Sequence, residues 1–226
     1  MAKKQTGYAL LGAAVGVTVA AVLARAYQRA RAVCPPFQRR VYGDAQHLLE
    51  DMRALIRNPW MLSAMRNNPE LSQPLVGRVM LAVTGVNGCR YCSYAHTRYA
   101  LRQGIGGEEA ARLLTGEFDD VPMDEVPAIL FAQHFAESAG DPDHAAIQRL
   151  VEHYGSTTAR DLLTLIRLIT MTNLIGNTFD ALLSRICGQP SPDSTLLNEV
   201  AILSLSLVAG PVVGMATARD ILLGSD

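Results

Sequence analysis

Glycine and proline divide most of this chain into segments whose apolar residues recur with the period of an α-helix. After Pro35-Pro36, apolar side chains recur three or four positions apart, and almost no stretch alternates apolar and polar residues as a strand would. Several segments end at a glycine, a residue that readily takes the left-handed conformation that closes a helix. The pattern therefore predicts an all-α fold. Helices are predicted over 43–57, 72–86, 89–103, 107–115, 124–139, 142–154 and 156–185.

The N-terminal segment is both basic and apolar. Residues 1–43 contain no acidic side chain, since all 21 acidic residues lie at Asp44 or later. Residues 5–24 carry no charge, and an apolar helix of this length just spans the hydrocarbon core of a bilayer. More cations follow this stretch than precede it, which favours a cytoplasmic location for the body. We expect a membrane anchor; the alternatives are a cleaved secretory signal with Ala24-Arg25-Ala26 at its cleavage site and a buried helix of a soluble cytoplasmic protein.

A second uncharged stretch occupies residues 200–218. A pair of buried or interface helices is the favoured interpretation, and a second membrane span is the alternative. Hydrophobic residues make up 49% of the chain and charged residues only 18%, which predicts a homo-oligomer because so apolar a composition does not suit a monomer's surface. We expect a leader over 1–40, a helical domain over 41–190 and an apolar helical tail over 191–226.

The charge distribution argues against nucleic acid as a partner. Binding to phosphates requires clustered lysine or arginine side chains. The body is acidic, and no lysine follows Lys4. No glycine-rich phosphate loop is present either.

The chemistry of the chain is concentrated in Cys89, Cys92 and His96. On a helix with 100° per residue, Cys92 lies about 60° and His96 about 20° from Cys89, so all three share one face. A cysteine in the first helical turn is favoured as a thiolate, and His96 can accept a proton from Cys92. One sulfur can attack an oxidant while the other closes a disulfide. The alternatives are packed thiols, or a zinc site with Cys187 or His134 as fourth ligand.

The stretch 88–92, Gly-Cys-Arg-Tyr-Cys, is followed by His96, Gly104 and the acidic pair Glu108-Glu109. This pattern resembles the signature of the alkylhydroperoxidase D-like, or carboxymuconolactone decarboxylase, family, and the likeness extends less specifically over 44–183. The resemblance implies a multi-helical bundle that oligomerises, commonly as trimers or hexamers, with no bound redox cofactor. It also implies a relay in which a glutamate one helix earlier acts through the histidine on the second cysteine.

The chain departs from the family pattern at two positions. Gly77 stands where redox-active members carry the relay glutamate, and Tyr91 stands where some peroxidases carry a second histidine. An incomplete relay favours slow thiol–disulfide exchange, and installing Gly77→Glu is expected to speed peroxide turnover.

We therefore expect a membrane-tethered thiol oxidoreductase that reduces peroxides or exchanges disulfides, with a lipoyl or thioredoxin-type dithiol as electron donor. Cys92 is the expected attacking thiolate, Cys89 the resolving thiol and His96 the base. Tyr91 and His134 are candidate pocket residues. Two alternatives stay open: a non-catalytic helical subunit of a membrane-associated assembly, and a non-redox enzyme similar to carboxymuconolactone decarboxylase.

Two asparagines interrupt the longest apolar helix. Asn173 and Asn177 lie four residues apart, on one face of that helix. Because buried amides must be hydrogen-bonded, we expect them to tie helices together.

Overall fold

The computed structural model describes residues 36–56 and 68–208, together with Ala24, Arg25 and Gln28. Over these residues the protein has seven α-helices and no strand, which confirms the all-α prediction. The helices are α1 Ala45–Ile56, α2 Gln73–Asn87, α3 Arg90–Arg102, α4 Gly107–Thr115, α5 Val126–Glu137, α6 His144–Ile186 and α7 Leu196–Val208. Of the predicted leader helix over 5–24 only Ala24 is described, and it is helical. The tail after residue 208 lies outside the described residues.

Most helix ends follow the predicted signals. The Ser72 hydroxyl accepts a hydrogen bond from the backbone N–H of Leu75 and caps the start of α2. Gly88 and Gly116 close α2 and α4 with φ angles of 67° and 86°. Helix α6 contains one non-helical residue, Gly155, at φ 73° and ψ 163°. The predicted stop at Gly155 is therefore present, but the second helical segment follows it without an intervening loop.

Helix α2 is the centre of the bundle. It packs against α3, α4, α5 and α6, and Val79, Leu81, Ala82 and Val83 are completely buried. Because only Gly88 and Cys89 separate α2 from α3, the two helices form a close pair, and both contact α6. This arrangement brings the start of α3 against the middle of α6.

Among the described helices, α6 is the one long and apolar enough to cross a membrane by length and composition. It lies in the middle of the chain, and 56% of its most apolar window is buried by other parts of the protein. The helix also packs against α1, α2, α3 and α5. These are the features of a core helix, so α6 is not the predicted N-terminal span.

Candidate functional site

Cys89 and Cys92 form a disulfide at the start of α3, with their Cα atoms 5.3 Å apart. Cys89 is the N-cap residue of the helix, and its sulfur accepts a hydrogen bond from the backbone N–H of Cys92 over 3.2 Å. Cys89 is completely buried, whereas Cys92 is half-buried. The two sulfurs therefore differ in access: only that of Cys92 lies near the surface.

The disulfide lies directly against α6 at Gly176. A Cβ atom at this position would stand 2.9 Å from Cys89 Sγ and 3.6 Å from Cys92 Sγ, closer to Cys89 than side chains normally approach. Cys92 Sγ is also 3.9 Å from the carbonyl oxygen of Thr172, one turn earlier on α6. Sequence reasoning missed Gly176. The available signal was a glycine inside a long helix, where it costs about 1 kcal/mol relative to alanine and indicates a close approach.

The residues between the two cysteines are held by a buried carboxylate on α6. Asp180 is 4% exposed, and it accepts hydrogen bonds from Arg39, from Arg90 and, over 3.1 Å, from the Tyr91 hydroxyl. Burial, and secondarily the neighbouring Arg90 guanidinium, lowers the pKa of Arg39. Asp180 thus holds the Arg-Tyr pair of the CxxC sequence against α6. Sequence analysis missed this residue, although a carboxylate within an apolar helix is a signal that a cation lies nearby.

His96 faces α2. Its Nδ1 lies 2.8 Å from the Thr84 hydroxyl, which in turn accepts a hydrogen bond from Asn173 Nδ2 over 3.1 Å. Burial lowers the pKa of His96 below its ordinary value, although a hydrogen bond with the Met80 carbonyl opposes the shift. No hydrogen bond among the described residues joins the imidazole to Cys89 or Cys92. The shared helix face predicted from the sequence therefore has its sulfurs against α6 and its imidazole against α2.

Gly77, where the resemblance implies a relay glutamate, lies against α3 and against Ile105, which follows α3. A Cβ atom on Gly77 would stand 3.1 Å from Ile105 Cδ1 and 3.4 Å from Ala100 Cα. A glutamate here would have to displace the buried Ile105 side chain and the α3 backbone at Ala100, so the Gly77→Glu substitution is not the test of the relay that the sequence suggested. Thr84, two helical turns further along α2, is the residue that contacts His96 instead.

The other residues singled out in the sequence have separate surroundings. Tyr91 lies in the Asp180 cluster and is 40% exposed. His134 pairs with Asp143 over 3.1 Å and lines a cavity of about 530 Å³ between α5 and the start of α6. None of these contacts brings His134 to the disulfide. Asn177 Nδ2 donates to the carbonyl oxygens of Arg40 and Asn87, so it ties α6 to the segment before α1 and to the end of α2. Asn173 ties α6 to α2 through its hydrogen bond to Thr84.

The disulfide argues against the alternative of a zinc site at Cys89 and Cys92. Both sulfurs are bonded to each other and are not available as thiolate ligands in this state. Within the part of the chain that the structure describes, no group of three or more His, Cys, Asp or Glu side chains is arranged to hold a metal ion.

Comparison with known protein families gives a match to the helical segment that carries the disulfide. Residues 54–137 match the model of the carboxymuconolactone decarboxylase family. The predicted family resemblance is confirmed. The match to this family includes Cys89, Cys92 and His96, whereas Gly176 and Asp180 lie beyond it on α6. No curated protein and no solved structure matches the chain.

Proposed function

We propose that this protein is a thiol–disulfide oxidoreductase in which the Cys89–Cys92 pair alternates between disulfide and dithiol. The observation that supports the proposal is the disulfide itself, with one buried sulfur and one half-buried sulfur at the start of a helix. Such an arrangement suits a reaction in which one sulfur meets the substrate and the other remains inside. The uncharged, cation-flanked leader supports a membrane-tethered protein with its body in the cytoplasm.

The difference in burial supports Cys92 as the attacking sulfur. In the proposed reaction, the Cys92 thiolate attacks a substrate disulfide, forms a mixed disulfide and releases the first substrate thiol. Cys89 then attacks Cys92, and the second substrate thiol leaves. With a peroxide, Cys92 becomes a sulfenic acid as an alcohol or water leaves, and attack by Cys89 releases water. In both cases two electrons pass from the dithiol to the substrate, and an external dithiol of the lipoyl or thioredoxin type restores Cys89 and Cys92.

His96 is the proposed base, and its surroundings favour slow chemistry. Because burial lowers its pKa, the imidazole is neutral near pH 7 and can accept a proton from Cys92. Its partners are the neutral Thr84 hydroxyl and the Met80 carbonyl oxygen. Neither is a carboxylate, so neither partner supplies a negative charge that stabilises the imidazolium once the proton has moved. This supports slow thiol–disulfide exchange over rapid peroxide reduction.

Exposed apolar side chains support contacts with two kinds of protein: an electron donor and further copies of this chain. Tyr91, Tyr94 and Phe179 are 40%, 67% and 44% exposed around the start of α3 and the adjoining turn of α6, a surface suited to a dithiol donor protein. On α7, Leu197 and Leu207 are each 78% exposed. The α7 surface supports a homo-oligomer, and light scattering on the full chain measures the number of copies.

The proposed reaction is tested with single cysteine variants of the full chain. Oxidised lipoamide is mixed with the reduced protein, and the cysteine-containing peptides are identified by mass spectrometry. Cys89→Ser is expected to stop at a mixed disulfide on Cys92, whereas Cys92→Ser is expected not to react. The parent protein, reduced and treated with lipoamide in the same way, is the control.

Two outcomes would contradict the assignment. If Cys89→Ser and Cys92→Ser both exchange with lipoamide like the parent protein, the pair is not redox-active, and the non-catalytic subunit becomes the better interpretation. If the roles are reversed, Cys89 is the attacking thiol, and burial does not determine which sulfur reacts.

A further inference from the structure

A cavity of about 490 Å³ lies on a different side of α6 from the disulfide. It is enclosed by the segment that precedes α1, by the end of α2, by the end of α5 and by the middle of α6. Its lining includes the side chains of Tyr42, Asn87, Phe135, Arg167, Thr170 and Leu174.

Two buried polar side chains of this cavity have no hydrogen-bond partner among the residues that the structure describes. Asn87 is 1% exposed, and neither its Oδ1 nor its Nδ2 has such a partner. Thr170 is 7% exposed, and its hydroxyl has none either. The neighbouring Thr178, two turns after Thr170 on α6, donates its hydroxyl to the Leu174 carbonyl over 2.8 Å. Because native proteins bond nearly all buried polar groups, unused groups on a cavity wall indicate a ligand that supplies the missing bonds.

Arg167 adds unused donors to the same cavity. It is half-buried and makes no hydrogen bond or ion pair with any residue that the structure describes. Its charge interacts with Asp51, which also lines the cavity and accepts a 2.5 Å hydrogen bond from Tyr42. The opposite charges of Arg167 and Asp51 leave the interior of the cavity neutral. Of the other charged side chains that line it, Glu50 and Asp141 are exposed at the rim. The Arg40 guanidinium donates a hydrogen bond to the Glu137 carbonyl oxygen at the end of α5.

We propose that this cavity binds a small neutral molecule that carries an amide group. The amide carbonyl oxygen would accept from Arg167 and Asn87 Nδ2, and the amide N–H would donate to Asn87 Oδ1 or to Thr170. The apolar part of the molecule would pack on Phe135 and Leu174. A carboxylate would add an unbalanced negative charge beside Asp51, and a hydrocarbon would leave every one of these polar groups unbonded.

The ligand class is tested with three probes of one shape. Benzamide has the carbonyl and the N–H, acetophenone lacks the N–H, and benzoate adds a negative charge. In calorimetric titrations of the full chain in mild detergent, benzamide is expected to bind saturably and at least about tenfold more tightly than the other two. Absence of saturable benzamide binding overturns the site, and tighter binding of benzoate overturns the assignment of a neutral amide.

The residues are tested with an isosteric substitution. Thr170→Val removes a buried hydroxyl that has no protein partner, so the melting temperature should not fall, whereas benzamide should bind at least about tenfold more weakly. Thr178→Val is the control, since its hydroxyl is bonded to the helix backbone and does not line the cavity. Should Thr170→Val fail to fold, Arg167→Met retains the aliphatic stem and is expected to weaken binding in the same way.

The result is independent of the redox reaction. The Cys92→Ser variant keeps Asn87, Arg167 and Thr170, and it is expected to bind benzamide like the parent protein. Equal affinity of the parent, Thr170→Val and Arg167→Met overturns the proposed site, whatever the outcome of the lipoamide experiment.

Discussion

At the scale of single residues, Gly176 determines how closely the disulfide can approach α6. Alanine favours a helix over glycine by about 1 kcal/mol, so Gly176→Ala would stabilise an isolated helix. In the folded protein, however, the added Cβ would stand 2.9 Å from Cys89 Sγ. Overpacking of this kind costs about 1–3 kcal/mol, and reduction frees Cys89 to turn its side chain away.

We therefore expect Gly176→Ala to make the Cys89–Cys92 disulfide easier to reduce. The position of the disulfide–dithiol equilibrium against glutathione measures the effect. Gly107→Ala is the matched control, because nothing lies within 4 Å of a Cβ at that helical glycine. An unchanged equilibrium in Gly176→Ala would show that the close approach does not influence the redox state.

The burial of His96 predicts how the stability of the protein depends on pH. Because burial lowers its pKa in the folded protein, the unfolded chain binds a proton first as the pH falls below about 6.5. The stability associated with the neutral imidazole is therefore present above pH 6.5 and is lost as the pH falls towards the pKa of the folded state.

Urea unfolding at pH 7.5 and 5.5 measures this dependence. His96→Gln should lose less stability between the two pH values than the parent protein, whereas His47→Gln, at an exposed imidazole, should lose as much. If the His96 variant keeps the full pH dependence, burial of this imidazole is not its source.

At the scale of elements, Asp180 joins α6 to the start of α3 and to the segment before α1. It is buried, but its partners Arg39 and Arg90 are 29% and 57% exposed and can be hydrated when the carboxylate is lost. The free energy lost on substitution is therefore that of the charged hydrogen bonds and does not include the penalty for two buried, unpaired guanidinium groups. We expect Asp180→Asn to lower the free energy of unfolding by about 1–3 kcal/mol.

Chemical denaturation at pH 7 measures this loss, and hydrogen exchange at the Cys92 amide reports whether the start of α3 has loosened. Asp120→Asn is the control, because Asp120 pairs with Arg112 at an exposed position. Such a pair contributes at most about 1 kcal/mol. If the two variants are equally stable, the Asp180 cluster does not hold α3 against α6.

At the scale of the whole molecule, the leader carries the prediction about location. Its twenty uncharged residues are long enough to span a bilayer and are flanked by cations. Deletion of residues 1–32 is expected to move the protein from the membrane fraction to the soluble fraction on high-speed centrifugation. A full-length protein that is already soluble would contradict the anchor, and a mature chain beginning near Tyr27 would support the cleaved signal.

Local interactions explain what could be predicted from the sequence. The helix starts and ends depend on residues within one turn of each other, as with Ser72 and Leu75 at the start of α2 and the left-handed Gly88 at its end. The Cys89–Cys92 disulfide is equally local, since the two cysteines are three positions apart in the sequence. A short pattern of residues is enough to specify such features, and the family match includes the same pattern.

The surroundings of the disulfide depend on tertiary structure. Thr84 meets Asn173 and Arg90 meets Asp180 across 89 and 90 residues of sequence, and the sequence contains no pattern that links them. These contacts exist because α2 and α3 pack together against one stretch of α6. The same packing directs His96 towards Thr84 and the sulfurs towards Gly176. It also encloses the side chains of Asn87 and Thr170, which find no hydrogen-bond partner in the described part of the chain. The sequence by itself determined the helices and the local Cys89–Cys92 pair. The packing of α6 decided what surrounds that pair, because side-chain contacts between distant segments form only when the helices are assembled.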